Sequence, residues 1–418
     1  MKRVSVGFLK NGFRFYTQLD DRAHVSGVGV RVGAIHDPPG RRGMCHLVEH
    51  IVGGYSREHE LKLEEYQCGP EENINIRVDR YSTFYGHDLL LKREYLFELF
   101  DIIANGVKNP VIDQESLEVE RAAVLNEYYL RGIDAMEDLV DVLIHQALYE
   151  RNPARNRVDC EPDDLLRITV DDVRAFVRKY YVPNNMFAVI LGPSFRKARK
   201  MAEKYFGDLR PRSVPLPDCD LTEKRPLISG AKMLEVEQKG IHQYHVAVGF
   251  PTWPYGSKDD EVLDVLSEIW GWRLREALRD ENRKWGKGTY RAMTFTPRSF
   301  AHGMIYALFA TPSEDFARYG IERIIAACEE LKAKWVLNDE LVAMSNKLYN
   351  DYLDAFNTSP GDLAERIIDA SANGDEDMRR LNSFLGRLSR VGKKSIMRVA
   401  NEYFTTPNYV SVLIKPAS

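Results

Sequence analysis

The sequence predicts an α+β protein of two similar halves, each an antiparallel sheet covered by helices. Three observations lead there. Strand-like and helix-like runs are mixed along the chain, and some of the strands are joined as hairpins, which favours antiparallel pairing over a βαβ series. A stretch near the middle changes character. Pro211, Pro215, Pro217 and Pro226 stand among few large apolar residues, as in an exposed linker. The two halves also end alike. Residues 173–185 can be laid on 396–408 with the turn proline shifted by one, and both lead into a strand that stops at a proline, Pro193 or Pro416. A repeat this long implies a duplicated domain and not a solenoid. The expected division is an N-terminal domain at 1–210, a linker at 211–230 and a second domain at 231–418.

The elements follow in order. Residues 3–9 and 13–17 alternate as two strands around Lys10-Asn11-Gly12. Val25 to Val32 is a further strand. Pro38, Pro39 and Gly40 forbid helix, and Gly53-Gly54 end the short helix that follows them. Residues 60–67 read as a helix ended by Cys68-Gly69-Pro70, and 75–91 as strand. Leu96, Leu99, Phe100 and Ile103 share one face of a helix over 94–105. Helices are expected around Glu127 and over 135–149. Thr169 to Asp172 resembles a capping box, with Asp for Glu, before a helix to Tyr181. A strand at 187–191 and a helix at 195–206 close the first half. The second half restarts with strands at 233–237 and 242–250, then helices at 258–280, 314–336, 338–356 and 360–372.

Composition narrows the function. With 418 residues, 44% hydrophobic and 29% charged, the chain can hold two cores. A net charge of −4 gives no argument for nucleic acid or an anionic membrane as partner. No apolar run approaches a membrane span. The N-terminus lacks an apolar core before Lys10 and reads as the first strand rather than a signal peptide. Five scattered cysteines without a C-x-x-C suit a reducing, cytoplasmic setting.

The chemistry concentrates in residues 43–52. His46 and His50 are four apart and stack on one helical face, with Glu49 projecting to nearly the same side. Two imidazoles at this spacing can share one Zn²⁺, and the carboxylate beside them can act as a base toward water. H-x-x-E-H is the inverted zinc-peptidase motif. Catalytic zinc takes three protein ligands and leaves a position open, so a third ligand is needed. Residues 116–127 read as a helix with Glu120 and Glu127 on one face. Cys45 adjoins His46 but points about 100° away and reads as packing.

These motifs resemble the pitrilysin/insulinase family of zinc peptidases, in which H-x-x-E-H is followed after about 76 residues by a ligand Glu. From His50 that gap ends at Glu127, and the family's further Glu, seven residues earlier, is Glu120. The resemblance covers nearly the whole chain, at the length of the short members similar to mitochondrial processing peptidases. It implies two homologous α+β domains forming a clam-like chamber. It implies one Zn²⁺ per chain on His46, His50 and Glu127, Glu49 as general base, and Glu120 orienting a ligand histidine or the water. Only the first half can hold the metal, because the helix at 258–280 carries no His.

Residues 75–85 are similar to the family segment that presents an Asn and a strand edge to substrate. Asn75, Thr83 and Tyr85 match, while Ile76 and Val78 depart from it. An edge strand binds an extended peptide through its main chain. Relatives also supply an Arg and, seven residues on, a Tyr that help hold the substrate and the developing oxyanion, and the resemblance implies Arg279 and Tyr290 for these roles. Arg279 has the matching upstream context and Tyr290 falls eleven later; Arg283 has the spacing without the context. His242 and His245 are rejected as a metal pair, since strand residues three apart face opposite sides. His87 and His145 read as packed or surface histidines.

The expected function is zinc-dependent endopeptidase hydrolysis of unstructured peptides, in a homodimer or a heterodimer with a related subunit. The alternative is a non-catalytic peptide-binding or scaffold subunit of a heterodimeric peptidase. Cobalt or manganese could stand in for zinc.

Overall fold

A computed structural model describes residues 2–21, 25–54, 74–87, 95–134, 136–215, 221–285 and 291–417. The helix expected at 60–67 lies outside the described residues.

Six strands form the first sheet: β1 (Ser5–Phe8), β2 (Arg14–Leu19), β3 (Val25–Val30), β4 (Ile74–Val78), β5 (Thr83–His87) and β6 (Met186–Gly192), in the order β1-β2-β6-β3-β5-β4. Five form the second: β7 (Ala231–Gln238), β8 (Tyr244–Pro251), β9 (Ala292–Phe295), β10 (Met304–Thr311) and β11 (Tyr409–Pro416), in the order β7-β11-β8-β10-β9. The two orders repeat one pattern. A parallel pair, β2–β6 or β7–β11, is followed by three antiparallel pairings. The architecture is α+β with two sheets of matching topology, and each sheet carries this one parallel pairing where an antiparallel sheet was expected. A parallel neighbour needs a long crossover, and the chain between 19 and 186, or between 238 and 409, supplies it. Strand β10 was not foreseen. Met304–Thr311 is nearly continuous in apolar residues and buried almost throughout, so no alternation marks it.

The helices of ten or more residues among the described residues are α1 (Met44–Gly53), α2 (Tyr95–Lys108), α3 (Gln114–Asp134), α4 (Met136–Leu148), α5 (Val170–Tyr180), α6 (Phe195–Phe206), α7 (Asp260–Trp285), α8 (Glu314–Ala333), α9 (Asn338–Asn357), α10 (Pro360–Ala372), α11 (Arg379–Leu388) and α12 (Lys393–Tyr403). None among the described residues is long and apolar enough to cross a membrane. Helix α5 starts at the foreseen capping box, with the Thr169 hydroxyl accepting from the Asp172 amide.

The chain forms two compact units that are not contiguous in sequence. The first comprises 1–129, 157–218 and 352–382; the second comprises 130–156, 219–351 and 383–418. The contiguous division expected at 1–210 and 231–418 therefore misses an exchange of segments. Each sheet has two apolar faces, and the helices of its own half cover one. On the first sheet, Phe15, Val28, Val30, Ala188 and Ile190 face the core shared with α1, α2, α5 and α6. Its other face carries Tyr16 and Phe187 and receives α10 from the second half, whose Ser371 hydroxyl lies 2.9 Å from the Tyr16 hydroxyl. On the second sheet, Val246, Val248, Ala307 and Leu413 pack with α7, α8 and α12. Its other face receives α4 from the first half, through Val140, Ile144 and Leu148 against Ala247, Leu308 and Val412.

Candidate metal centre

Helix α1 is apolar around most of its circumference, and every residue in it except His50 is buried. Such a helix belongs inside a core and needs its polar ends satisfied. Gly43 precedes it with φ 92°, and a Cβ there would meet the Cys160 Cβ at 2.5 Å, so glycine is required twice over. The half-buried Asp37 carboxylate accepts from the Gly43 and Cys45 amides at 2.7 and 2.8 Å, holding the first turn. Burial raises the Asp37 pKa to about 7, against the lowering effect of those two amides. At the far end Gly54 donates to the His50 carbonyl at 2.7 Å. Thus α1 is pinned at both ends.

The structure brings His46, Glu49, His50, Glu120 and Glu127 into one group. Nε2 of His50 lies 3.2 Å from Glu127 Oε1, and Nε2 of His46 lies 3.6 Å from Glu127 Oε2. Glu49 Oε2 stands farther back, 3.8 Å from both ring nitrogens. The ring centroids are 4.9 Å apart. The ligand atoms of His46, Glu49 and His50 lie within 4.8 Å of one another. Two ligand atoms each about 2 Å from one tetrahedral ion are about 3.3 Å apart, so the His46–Glu127 and His50–Glu127 separations suit a shared Zn²⁺.

The other ring nitrogens are engaged. His46 Nδ1 donates to the Asp159 carbonyl at 3.1 Å, and a carbonyl only accepts, which assigns the proton to Nδ1. His50 Nδ1 lies 3.2 Å from Glu120 Oε2. Both Nε2 atoms are thereby left to a metal, the usual outer arrangement of ligand histidines. The electrostatics also call for a cation. Burial disfavours charge on His50, but hydrogen bonds to Glu120 and Glu127 and the charges of Glu49 and Glu127 outweigh it and raise its pKa to about 10.

Asn75 is on β4, the outermost strand of its sheet among the described residues, and its amide donates to Glu365 of α10 at 2.9 Å. The neighbouring Ile76 packs on Gly53 at the end of α1, so this edge runs beside the metal helix. Arg279 is exposed on α7 and pairs with Glu276 at 2.5 Å. Tyr290 lies outside the described residues, as does the side chain of Arg283. His242 is exposed, and His245 sits in β8. His145 is fully buried, with Nε2 3.1 Å from His302 Nε2, and His87 is buried. Sequence reasoning missed Asp37 and the Asp159 carbonyl. Asp37 precedes α1 by seven residues, outside capping spacing, and a carbonyl leaves no mark in a sequence.

Residues 15–161 match the family model Insulinase (Peptidase family M16), and residues 167–348 match the Peptidase M16 inactive domain. The chain belongs to the insulinase peptidase family. It is 22% identical to the zinc protease PqqE of Helicobacter pylori, over 98% of this chain and 92% of that protein. It is 24% identical to the mitochondrial-processing peptidase subunit beta of Lentinula edodes, over 64% of this chain and 58% of that protein. A solved protease from Helicobacter pylori has the same fold, with a TM-score of 0.87 at 20% identity over 100% of both chains. A peptidase M16 inactive domain from Pseudomonas fluorescens gives 0.80 at 16% identity, over 100% of this chain and 98% of that one. Family membership makes a peptidase role and zinc dependence the group-level description.

Proposed function

We propose that this chain is a zinc-dependent endopeptidase acting on unstructured peptides, with His46, His50 and Glu127 holding one Zn²⁺ and Glu49 as the base. The observation that carries it is the set of three carboxylates around two imidazoles whose Nε2 atoms converge on Glu127. When bound, zinc polarises the scissile carbonyl and brings the pKa of the attacking water near 7. Glu49 is buried and stands behind both ring nitrogens, within reach of a water there. Its carboxylate takes the water's proton and later returns it to the leaving amine. Glu120 holds His50 through Nδ1, so its role is to orient that ring. In this reading an extended peptide binds through its main chain along the β4 side of the sheet, beside α1, where Asn75 lies. Strand addition of this kind reads little sequence and requires an unfolded substrate. Mitochondrial-processing peptidase subunits alpha and beta both appear among the relatives, which supports a paired assembly, with a copy of itself or a related subunit.

Cleavage of a mixed set of unstructured peptides by wild type and Glu49→Gln, with bound metal measured in both, tests this. The expected result is cleavage by wild type only and equal metal in both. Metal-loaded wild type that cleaves nothing, alone or mixed with a related subunit, favours the scaffold reading and removes the enzyme claim.

A further inference from the structure

The two metal-binding helices are tied together by a residue that touches neither ligand directly. Arg157 sits in the segment between α4 and α5. Its guanidinium grips the Asp159 carboxylate with two bonds, Nε to Oδ1 at 2.8 Å and the second nitrogen to Oδ2 at 2.5 Å. It also lies over the ring of Tyr128, with Cζ 5.1 Å from the centroid. Tyr128 follows Glu127 on α3. Asp159 carries the carbonyl that accepts from His46 Nδ1. The next residue, Cys160, presses on Gly43 at the start of α1. One planar cation therefore links the support of His46 on α1 to the residue beside Glu127 on α3. The pairing is bidentate and about three-quarters buried on the Arg157 side, a geometry that lysine cannot copy.

We infer that Arg157 is a positioning residue for the metal centre, setting the His46 ring and Glu127 at the separation that one ion needs. This rests on the zinc reading above. Without Arg157, the Asp159 carboxylate has to find another partner, the carbonyl beneath His46 loses its fixed direction, and Tyr128 loses the cation over its ring. The geometry of two ligands from different helices then relaxes together. Loss of such an outer support typically lowers metal affinity by about 10–100-fold.

The test compares wild type, Arg157→Ala, Arg157→Lys, Asp159→Asn and the double variant Arg157→Ala with Asp159→Asn, all as the whole chain. Zinc affinity is measured by competition with a chromogenic chelator. Cobalt-loaded protein gives the visible ligand-field spectrum, which reports coordination geometry, and thermal unfolding of the metal-free protein reports folding. The expected result is a zinc affinity about 10–100-fold weaker in Arg157→Ala, a shifted cobalt spectrum and little change in metal-free unfolding. Asp159→Asn should weaken zinc similarly, the double variant should cost less than the sum of the two, and lysine should restore only part of the affinity. A purely structural role would lower metal-free unfolding and leave affinity and spectrum of the folded fraction unchanged, which overturns the inference. Should Arg157→Ala not fold, Arg157→Lys and Asp159→Asn decide it by the same two readouts. Wild-type affinity retained in these variants defeats the positioning role alone. A wild type whose zinc binding is indifferent to His46→Ala defeats the metal-centre reading and this inference with it.

Discussion

Helices α1 and α7 hold corresponding places in two sheets of matching topology and treat their acidic residues in opposite ways. Each follows the central antiparallel strand, β3 or β8, and packs on the outer pair, β4 and β5 or β9 and β10. In α7 and at its start, the acids have fixed cations. Asp259 is held by Arg398 and by the Tyr403 hydroxyl, Glu261 by Arg387 at 2.6 Å and Asp264 by Arg298. Burial works against the Asp259 carboxylate, but Arg398 and Tyr403 outweigh it and lower its pKa. Around α1, Glu49, Glu120 and Glu127 face imidazoles instead. An arginine keeps its charge and offers no lone pair, whereas a histidine can offer a ring nitrogen to a metal. The lesson is that the shared scaffold does not decide which helix carries the chemistry. The kind of cation beside the carboxylates does.

That comparison can be broken directly. His50→Arg gives α1 a permanent cation like those of α7, and it removes one of three ligands. The protein should fold and bind no zinc above background by metal analysis; stoichiometric zinc would contradict the ligand set. In the other helix, Arg298→Ala leaves Asp264 and Asp260 without their guanidinium. Removing one partner of a buried pair costs about 3–5 kcal/mol, read as a drop in denaturant midpoint, with zinc affinity unchanged. A weakened zinc site in that variant would show that the units share more than a topology.

Smaller effects sharpen the contrast. Glu120→Gln keeps an acceptor for His50 but removes a charge, and should weaken zinc by about 10–100-fold in chelator competition. Zinc bound as tightly as in wild type would take Glu120 out of the centre. Asp37 sets a pH signature. Its pKa is about 7 in the folded protein against an ordinary 3.8, so the native state holds the proton more tightly than the unfolded chain. The stability contribution is full below about pH 4 and falls as pH rises to about 7, by at most about tenfold per pH unit in the folding equilibrium. Asp37→Asn should flatten that slope in urea midpoints measured from pH 4 to 7. An unchanged slope would mean that the carboxyl ionises normally.

What could be read in advance has a local origin. Positions 46, 49 and 50 fall on one side of any helix, whatever surrounds it, so the imidazoles and the carboxylate were legible from spacing alone. Glu120 and Glu127 were legible as one face of a second helix, and family resemblance joined that face to the first. The capping box of α5, the hairpin at 10–12 and the helix over 195–206 are also local, and the structure has each of them. Other features had no local mark. Asp37 caps α1 across a proline-rich loop, Arg157 acts through a backbone carbonyl, and Arg279 turns to its own helix neighbour Glu276.

By itself, then, the sequence determined the shared helical face of His46, Glu49 and His50 and the α+β character of two similar halves. Tertiary structure alone decided that α4 and α10 are exchanged between the units, that Glu127 closes on His46 and His50, and that the tautomer of each histidine is held from behind. The physical reason is range. Helical periodicity and turn chemistry act within a few residues. The covering of a second sheet face, and the bonds from Asp159 and Glu120 to the rings, join residues 70 or more positions apart, where only packing can choose the partner.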